Sequence, residues 1–262
     1  MIDEILLTHR GRTDRATLLL HGLTASPLQF AAIAQYVWER GDNVYVPRLP
    51  RHGHTNRLTE ALCDLRADEL RSHAEESLDY AFRLGRRVRV VGFSLGGLMA
   101  AWIGQRHRVE QVVSIAPLLG LAMIPPRFTG ATAQTLLALP NAFVWWHPLL
   151  RARRPPMHAY PRFASHAVAQ ALLVAEEVFV KTASLGASSP IVFVTNAGET
   201  TVSNAAVARL AQLWEANGAA HVERCVIAGL GLSHDIIEPF HPCAKIKKSY
   251  PVLHTLLDRT AG

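Results

Sequence analysis

The chain has 262 residues, of which 49% are hydrophobic and 18% charged, with a formal net charge of +6. That is enough apolar chain to bury one sizeable core, which excludes a disordered chain, and the charge falls short of a dedicated nucleic-acid binder. Basic residues gather at only two places, Arg151, Arg153 and Arg154, then Lys245, Lys247 and Lys248. Neither cluster is interleaved with aromatic platforms or glycine loops, so both read as solvated faces, with attraction of anionic substrates or lipid head groups as the alternative, and no nucleic-acid partner is expected. The start, MIDEILLTHRGR, carries acids before a short apolar run, unlike a secretory signal, and no apolar segment is long enough to span a bilayer. Cys63, Cys225 and Cys243 lie far apart and do not form a disulfide framework. The expectation is a soluble, cytoplasmic protein without stable membrane insertion.

Short runs rich in branched residues alternate with helix-compatible stretches, the pattern of a mainly parallel sheet covered on both faces. Strands are predicted at 17–20, 44–46, 88–91 and 112–116, then at 191–195 and 222–227. Ser26-Pro27 reads as an N-cap followed by proline in the first turn of a helix reaching about Arg40, which Gly41 stops. A second helix is predicted over 64–84, ended by Gly85, a third from just after Ser94 to about His107, and a last one over 244–258. Between 118 and 189 no strand is predicted; the stretch holds repeated prolines, the pair Trp145-Trp146 and one helical run, HAVAQALLVAEEVFVKTA. A structureless loop of this length is unusual in a compact domain, so 118–189 reads as a helical cap inserted into a core made of 1–117 and 190–262.

Val90-Val91-Gly92-Phe93-Ser94-Leu95-Gly96-Gly97 places a G-x-S-x-G match directly after an apolar strand and before a helix-compatible run. A serine on so sharp a turn is strained and needs small residues two positions to either side, which Gly92 and Gly96 supply. The helix starting there points its positive end and free N–H groups at the reaction centre, making Leu95 N–H a donor to a developing oxyanion. An incidental serine in a phosphate-binding turn is the alternative, and the lysine such a loop requires is absent. His21-Gly22-Leu23, at the end of the first central strand, offers a second donor in Leu23 N–H, with His21 supporting the loop rather than doing acid–base chemistry.

The segments HGLTASP, PRLPRHGH, GFSLGG and the late LSHD resemble those of the bacterial carboxylesterase and monoacylglycerol lipase group of the α/β-hydrolases, over most of the chain and least in the cap. The resemblance implies an α/β-hydrolase fold with a mainly parallel central sheet flanked by helices, a small helical cap, and hydrolysis of an acyl ester. Pro50-Arg51-His52-Gly53 stands where the group carries Pro-Gly-His-Gly. If that glycine serves backbone geometry, a differently shaped loop is expected at Arg51.

A serine hydroxyl needs a base, and the chain has 13 histidines. His234 follows the last strand and the stretch Gly229-Leu230-Gly231-Leu232-Ser233, completing the order serine, acid, histidine. His52, His54, His147 and His158 fall in loops or the cap and read as surface or structural. The acid is expected on the loop after 191–195, where the resemblance implies aspartate in D-x-x-V and Glu199 occupies that slot, one methylene longer. Asp235 is awkwardly adjacent to His234, and Glu176 and Glu177 fall in the predicted cap helix. Trp145 and Trp146 are expected to cover the nucleophile and bind substrate, with cap-to-core packing as the alternative; Leu118, Leu119, Met123 and Phe128 are further candidates for an acyl wall. No zinc-ligand spacing occurs, so no metal or cofactor is expected. The expected function is a serine hydrolase cleaving carboxylic esters of apolar acyl chains. A thioesterase, lysophospholipase or amidase is the alternative on the same scaffold, and a noncatalytic module binding a small apolar ligand is the rival of another class.

Overall fold

A computed structural model of the chain describes residues 1–146, 156, 158–182, 186–219, 221–241 and 243–259. His147 and the cluster Arg151, Arg153 and Arg154 lie outside the described residues. The elements run β1 (Ile5–Leu7), β2 (Thr13–Leu20), α1 (Ala31–Trp38), β3 (Asn43–Val46), α2 (Ala67–Leu84), β4 (Gly85–Phe93), α3 (Leu95–Arg106) and β5 (Gln111–Ile115). They continue with α4 (Thr129–Ala138), β6 (Phe143–Trp145), β7 (Arg162–Ala164), α5 (Ser165–Lys181), β8 (Ile191–Asn196), α6 (Asn204–Ala216), β9 (Val222–Ile227) and α7 (Ile246–Asp258).

Seven strands form one sheet in the order β1-β3-β2-β4-β5-β8-β9, all neighbours parallel except β1 against β3. Every predicted strand is present in it. Strands β5 and β8 are buried along their length and β4 from Val88 onwards, as continuous apolar runs covered on both faces must be. Leu70, Ala74, Leu78 and Ala81 line the buried stripe of α2, whereas α3 is buried nearly all round. Leu20 is in register with Gly92 and Phe93 with Ile115, so the C-terminal ends of β2, β4 and β5 finish level, where ligands of parallel sheets bind.

Several elements differ in detail from expectation, while Gly85 ends the second helix as expected. Ser26 holds the cap position, but its hydroxyl makes no cap bond, and Pro27–Phe30 is a 3₁₀ turn ahead of α1. The helix predicted from residue 64 starts at Ala67, whose N–H is taken by Gln170 Oε1 of α5 across 3.0 Å. Gly85 ends α2 in an extended conformation and opens β4 directly. Its need for glycine is close approach, since a Cβ there would sit 2.3 Å from the Ala16 nitrogen. Finally, the stretch predicted to hold no strand carries a two-stranded antiparallel ribbon of β6 and β7. In the same stretch α5 packs on the core helices: Gln105 Nε2 donates to Val178 O at 3.0 Å, and Glu177 pairs with Arg71 and Arg106.

At Arg51 the backbone is left-handed, with φ +66°, the conformation a glycine would hold without strain. The loop therefore keeps a glycine-like geometry with arginine in it. Arg51 is held by an ion pair to Glu69 at 2.6 Å, and Tyr160 Oη takes the His54 N–H at 2.9 Å. Left-handed strain on a side-chain residue costs ~1–2 kcal/mol, and an exposed ion pair returns ~0.2–1 kcal/mol. Arg51→Gly should thus be more stable than Arg51→Ala by about 1 kcal/mol in urea unfolding, because alanine loses the pair and keeps the strain. Equal midpoints for the two variants would remove strain as the explanation.

Candidate active site

Ser94 sits between β4 and α3 at φ +54°, ψ −111°. The turn is held by Ser94 N–H to Ile115 O at 2.9 Å and Gly96 N–H to His21 O at 3.1 Å. A Cβ on Gly92 would lie 2.0 Å from Gly96 O, and one on Gly96 would lie 1.9 Å from Leu20 O. Both glycines are therefore fixed by the closeness of β2, β4 and α3. Leu95 is the first residue of α3; its side chain is buried and its N–H, like that of Leu23, has no acceptor among the described residues.

His234, on the loop after β9, lies with Nε2 2.9 Å from Ser94 Oγ and Nδ1 2.8 Å from Glu199 Oε2. In the neutral tautomer that fits both partners, Nδ1–H donates to the carboxylate and Nε2 accepts the serine hydroxyl. The Glu199 side chain is wholly buried, unlike an exposed loop glutamate. Its Oε1 accepts the N–H groups of Thr200 at 2.9 Å and Thr201 at 2.7 Å. Burial alone would raise this carboxyl, but the bond and charge of His234 together with the N–H groups of Thr201 and Val202 outweigh it and hold the group below the ordinary carboxylate range.

Two residues not singled out from the sequence join the loops. Asn196, at the end of β8, donates from Nδ2 to Gly231 O and Ser233 O, both at 2.8 Å, and accepts Gly198 N–H at 3.0 Å. It thereby ties the Glu199 loop to the His234 loop. Gln29 accepts Gly22 N–H at 2.9 Å and donates to Asp235 Oδ2 at 2.7 Å, while Asp235 Oδ1 takes the N–H groups of Ile237 and Glu238. Asp235 is thus a brace between the β2 loop and the His234 loop. The end of β8 and the first turn after Pro27 were legible as loop and helix start, but no local signal marks partners so far away along the chain.

His21 and His52 lie fully buried behind the β2 loop. His21 Nε2 accepts Leu49 N–H at 3.1 Å, leaving Nδ1–H for Gly22 O; His52 Nε2 accepts Thr24 N–H at 3.2 Å, leaving Nδ1–H for Pro50 O at 2.7 Å. Both are structural acceptors and must be neutral. Desolvation depresses each of them, His52 to about 4.

A cavity of about 610 Å³ opens over Ser94 and His234. Leu23, Phe93, Trp146, Tyr160, Leu230 and Leu232 give it an apolar wall, and His158 bridges to the buried carboxylate of Glu238 at 2.7 Å beside it. Trp146 lines this cavity. Trp145 does not stand among its lining residues; neighbouring positions of a strand face opposite ways, and Trp145 pairs with Arg162 in the ribbon. Leu118 and Leu119 are buried away from it, Met123 and Phe128 are exposed, and Glu176 and Glu177 lie on α5. Lys245 reaches the rim, and with Lys247 and Lys248 it is exposed. Among the described residues no helix is long and apolar enough to cross a membrane, and no group of three or more His, Cys, Asp or Glu could hold a metal ion.

A mainly parallel sheet whose central strand ends in a strained serine turn is the architecture of the α/β-hydrolases, and residues 17–241 match the Alpha/beta hydrolase family; the chain belongs to it. Among solved structures it is similar to the monoacylglycerol lipase of Paleococcus ferrophilus, at 16% identity and TM-score 0.68 over 98% of both chains. It is also similar to a soluble variant of the Saccharomyces cerevisiae monoglyceride lipase, at 13% identity and TM-score 0.73 over 97% of this chain and 90% of that one. A third likeness is to the metagenome-derived lipolytic enzymes LipS and LipT, at 17% identity and TM-score 0.65 over 86% of each chain. No curated protein matches the sequence.

The depressed His52 fixes a pH dependence. An unfolded chain takes up a proton at an ordinary histidine near pH 6.5, whereas the folded chain resists until about 4, so stability from this group is full above pH 6.5 and is lost as pH falls towards 4. The shift corresponds to ~3 kcal/mol. Urea unfolding at pH 7 and pH 4.5 should show a large loss for the wild type and a smaller one for His52→Asn, which can accept Thr24 N–H without titrating. The same loss in both proteins would show that His52 is not the sensitive group.

Proposed function

We propose that the chain is a serine hydrolase that cleaves carboxylic esters of apolar acyl chains through an acyl-enzyme, with residues 118–189 as a cap over the site. The observation that carries this reading is His234 lying within hydrogen-bond distance of both Ser94 Oγ and the buried Glu199 carboxylate, at the floor of an apolar-walled cavity. Ser94 Oγ attacks the ester carbonyl as its proton passes to His234 Nε2, and Glu199 stabilises the imidazolium through Nδ1–H. The carbonyl oxygen becomes an oxyanion, met by the N–H groups of Leu23 and Leu95 and by the positive end of α3. Collapse of the tetrahedral intermediate breaks the C–O bond, and His234 gives its proton to the departing alkoxide. Water then repeats the sequence on the acyl-enzyme, with His234 as base, releasing the carboxylic acid and restoring Ser94.

The leaving group is the least constrained part of the reading, because the same machinery serves any activated acyl group. Turnover of a panel of acyl esters, thioesters and peptide amides orders the three; thioester or amide turnover matching that of esters would reverse the preference. Ser94→Ala should reduce ester hydrolysis by at least about 10⁴-fold and abolish labelling by a fluorophosphonate. Retained hydrolysis in that variant would remove Ser94 from the reaction. Glu199→Gln, which cannot hold the imidazolium, should lower kcat by about 10²-fold or more with KM little changed. Near-normal kcat would reject its role.

A further inference from the structure

Resting on that reading, we infer that Trp146 is a positioning residue: its indole N–H locks Thr24 and thereby holds the Leu23 N–H in place for the oxyanion. Thr24 follows Leu23 directly and stands at φ +67°, a conformation in which a β-branched residue persists only when its surroundings over-determine it. Three groups do so. Its N–H is accepted by His52 Nε2 at 3.2 Å, its carbonyl accepts Tyr160 N–H at 2.7 Å, and its Oγ1 accepts Trp146 Nε1–H at 2.9 Å. Every polar group of the residue is bonded, and two of the three partners come from the stretch between β5 and β8.

Trp146 is itself fixed. Its N–H donates to Pro161 O at 3.1 Å, extending the β6–β7 ribbon, and its ring packs on Phe163 with centroids 4.5 Å apart. The tryptophan therefore has a rigid seat from which one hydrogen bond reaches the β2 loop. The two events lie one residue apart: the oxyanion donor is the N–H of the Gly22–Leu23 peptide, and the residue that follows Leu23 is the one that Trp146 bonds. Releasing Oγ1 lets Thr24 relax from the left-handed region, and the shift passes through Leu23 to the Gly22–Leu23 peptide and turns its N–H off the carbonyl oxygen. A charge that develops only in the transition state then loses its donor, so the loss falls on kcat rather than on KM.

The test is a double-mutant cycle on a short acyl ester in water. Trp146→Phe keeps the ring against Phe163 and deletes only the N–H; Thr24→Val keeps the shape and deletes only the acceptor. Each single change should lower kcat about tenfold or more with KM within about twofold, and the double variant should be no slower than the singles because both remove the same bond. Thermal unfolding confirms that the variants compared are folded, and a Trp146→Tyr variant that misses Oγ1 should match the phenylalanine one. Wild-type kcat in Trp146→Phe, a change confined to KM, or additive losses in the double variant would overturn the inference and leave Trp146 as cavity wall. Ser94→Ala in the same assay separates the two levels: residual hydrolysis there counts against the serine reaction itself, whereas hydrolysis lost with Ser94→Ala but untouched by Trp146→Phe counts against the coupling alone.

Discussion

Ser94 can stand at φ +54° only because the chain on every side of it leaves no room to do otherwise. The end of β4, the first turn of α3 and the end of β2 approach so closely that a single methyl group on Gly92 or Gly96 would lie within about 2 Å of a carbonyl oxygen. Such strain costs ~1–3 kcal/mol, which a buried parallel sheet with both faces covered can bear. The close approach does two things at once. It lifts the hydroxyl clear of the sheet, and it brings the start of α3 against His21, whose carbonyl accepts Gly96 N–H. The serine turn and the Leu23 loop are thus parts of one packing solution.

The remaining polar groups arrive from strands on the far side of the sheet and must be brought into line by something other than the strands themselves. Parallel topology delivers the loops after β2, β4, β8 and β9 to a common edge, but loops have many conformations and a line of hydrogen bonds tolerates few. Asn196 removes that freedom between the Glu199 and His234 loops, and Gln29 with Asp235 does so between the Leu23 and His234 loops. Both braces are built of neutral amides or of a carboxylate whose oxygens are all bonded, which lets them sit among buried groups at little cost.

The sheet was legible because each central strand is a run of branched apolar residues bounded by turn formers, and Ser94 because the motif demands the strand and helix that flank it. Position in the topology singles out His234 among the 13 histidines, and the structure brings it within hydrogen-bond distance of Ser94 and Glu199. What escaped has physical reasons. Strands β1, β6 and β7 have three residues each, too few for alternation to register. Helix α6 has no counterpart among the predicted elements, although Ser203 Oγ caps it by accepting Ala206 N–H at 3.1 Å, the helix buries Ala206, Val207, Leu210, Ala211 and Trp214 at helical spacing, and a crossover between two parallel strands calls for one. The adjacent tryptophans looked equivalent as letters, but which of them faces the cavity depends on a ribbon that pairs residues almost twenty apart. Arg51 shows the opposite case, where the backbone holds the left-handed geometry that glycine favours although arginine stands there.

The histidines show how environment assigns chemistry to one residue type. His21 and His52 have no carboxylate bonded to them and are wholly desolvated, so the charged form is excluded and each ring becomes a fixed acceptor for a backbone N–H. His158 does have a carboxylate, Glu238, at 2.7 Å, yet its other nitrogen is buried without a partner among the described residues, so no group there stands ready to exchange a proton. His234 alone among these four has a carboxylate on one nitrogen and a hydroxyl on the other. A base needs both: a partner that makes its cation tolerable, and a proton within reach that the reaction must move. Burial pushes the Glu199 carboxyl up, and the bond and charge of His234, followed by the backbone N–H groups of Thr201 and Val202, outweigh that and hold it below the ordinary carboxylate range.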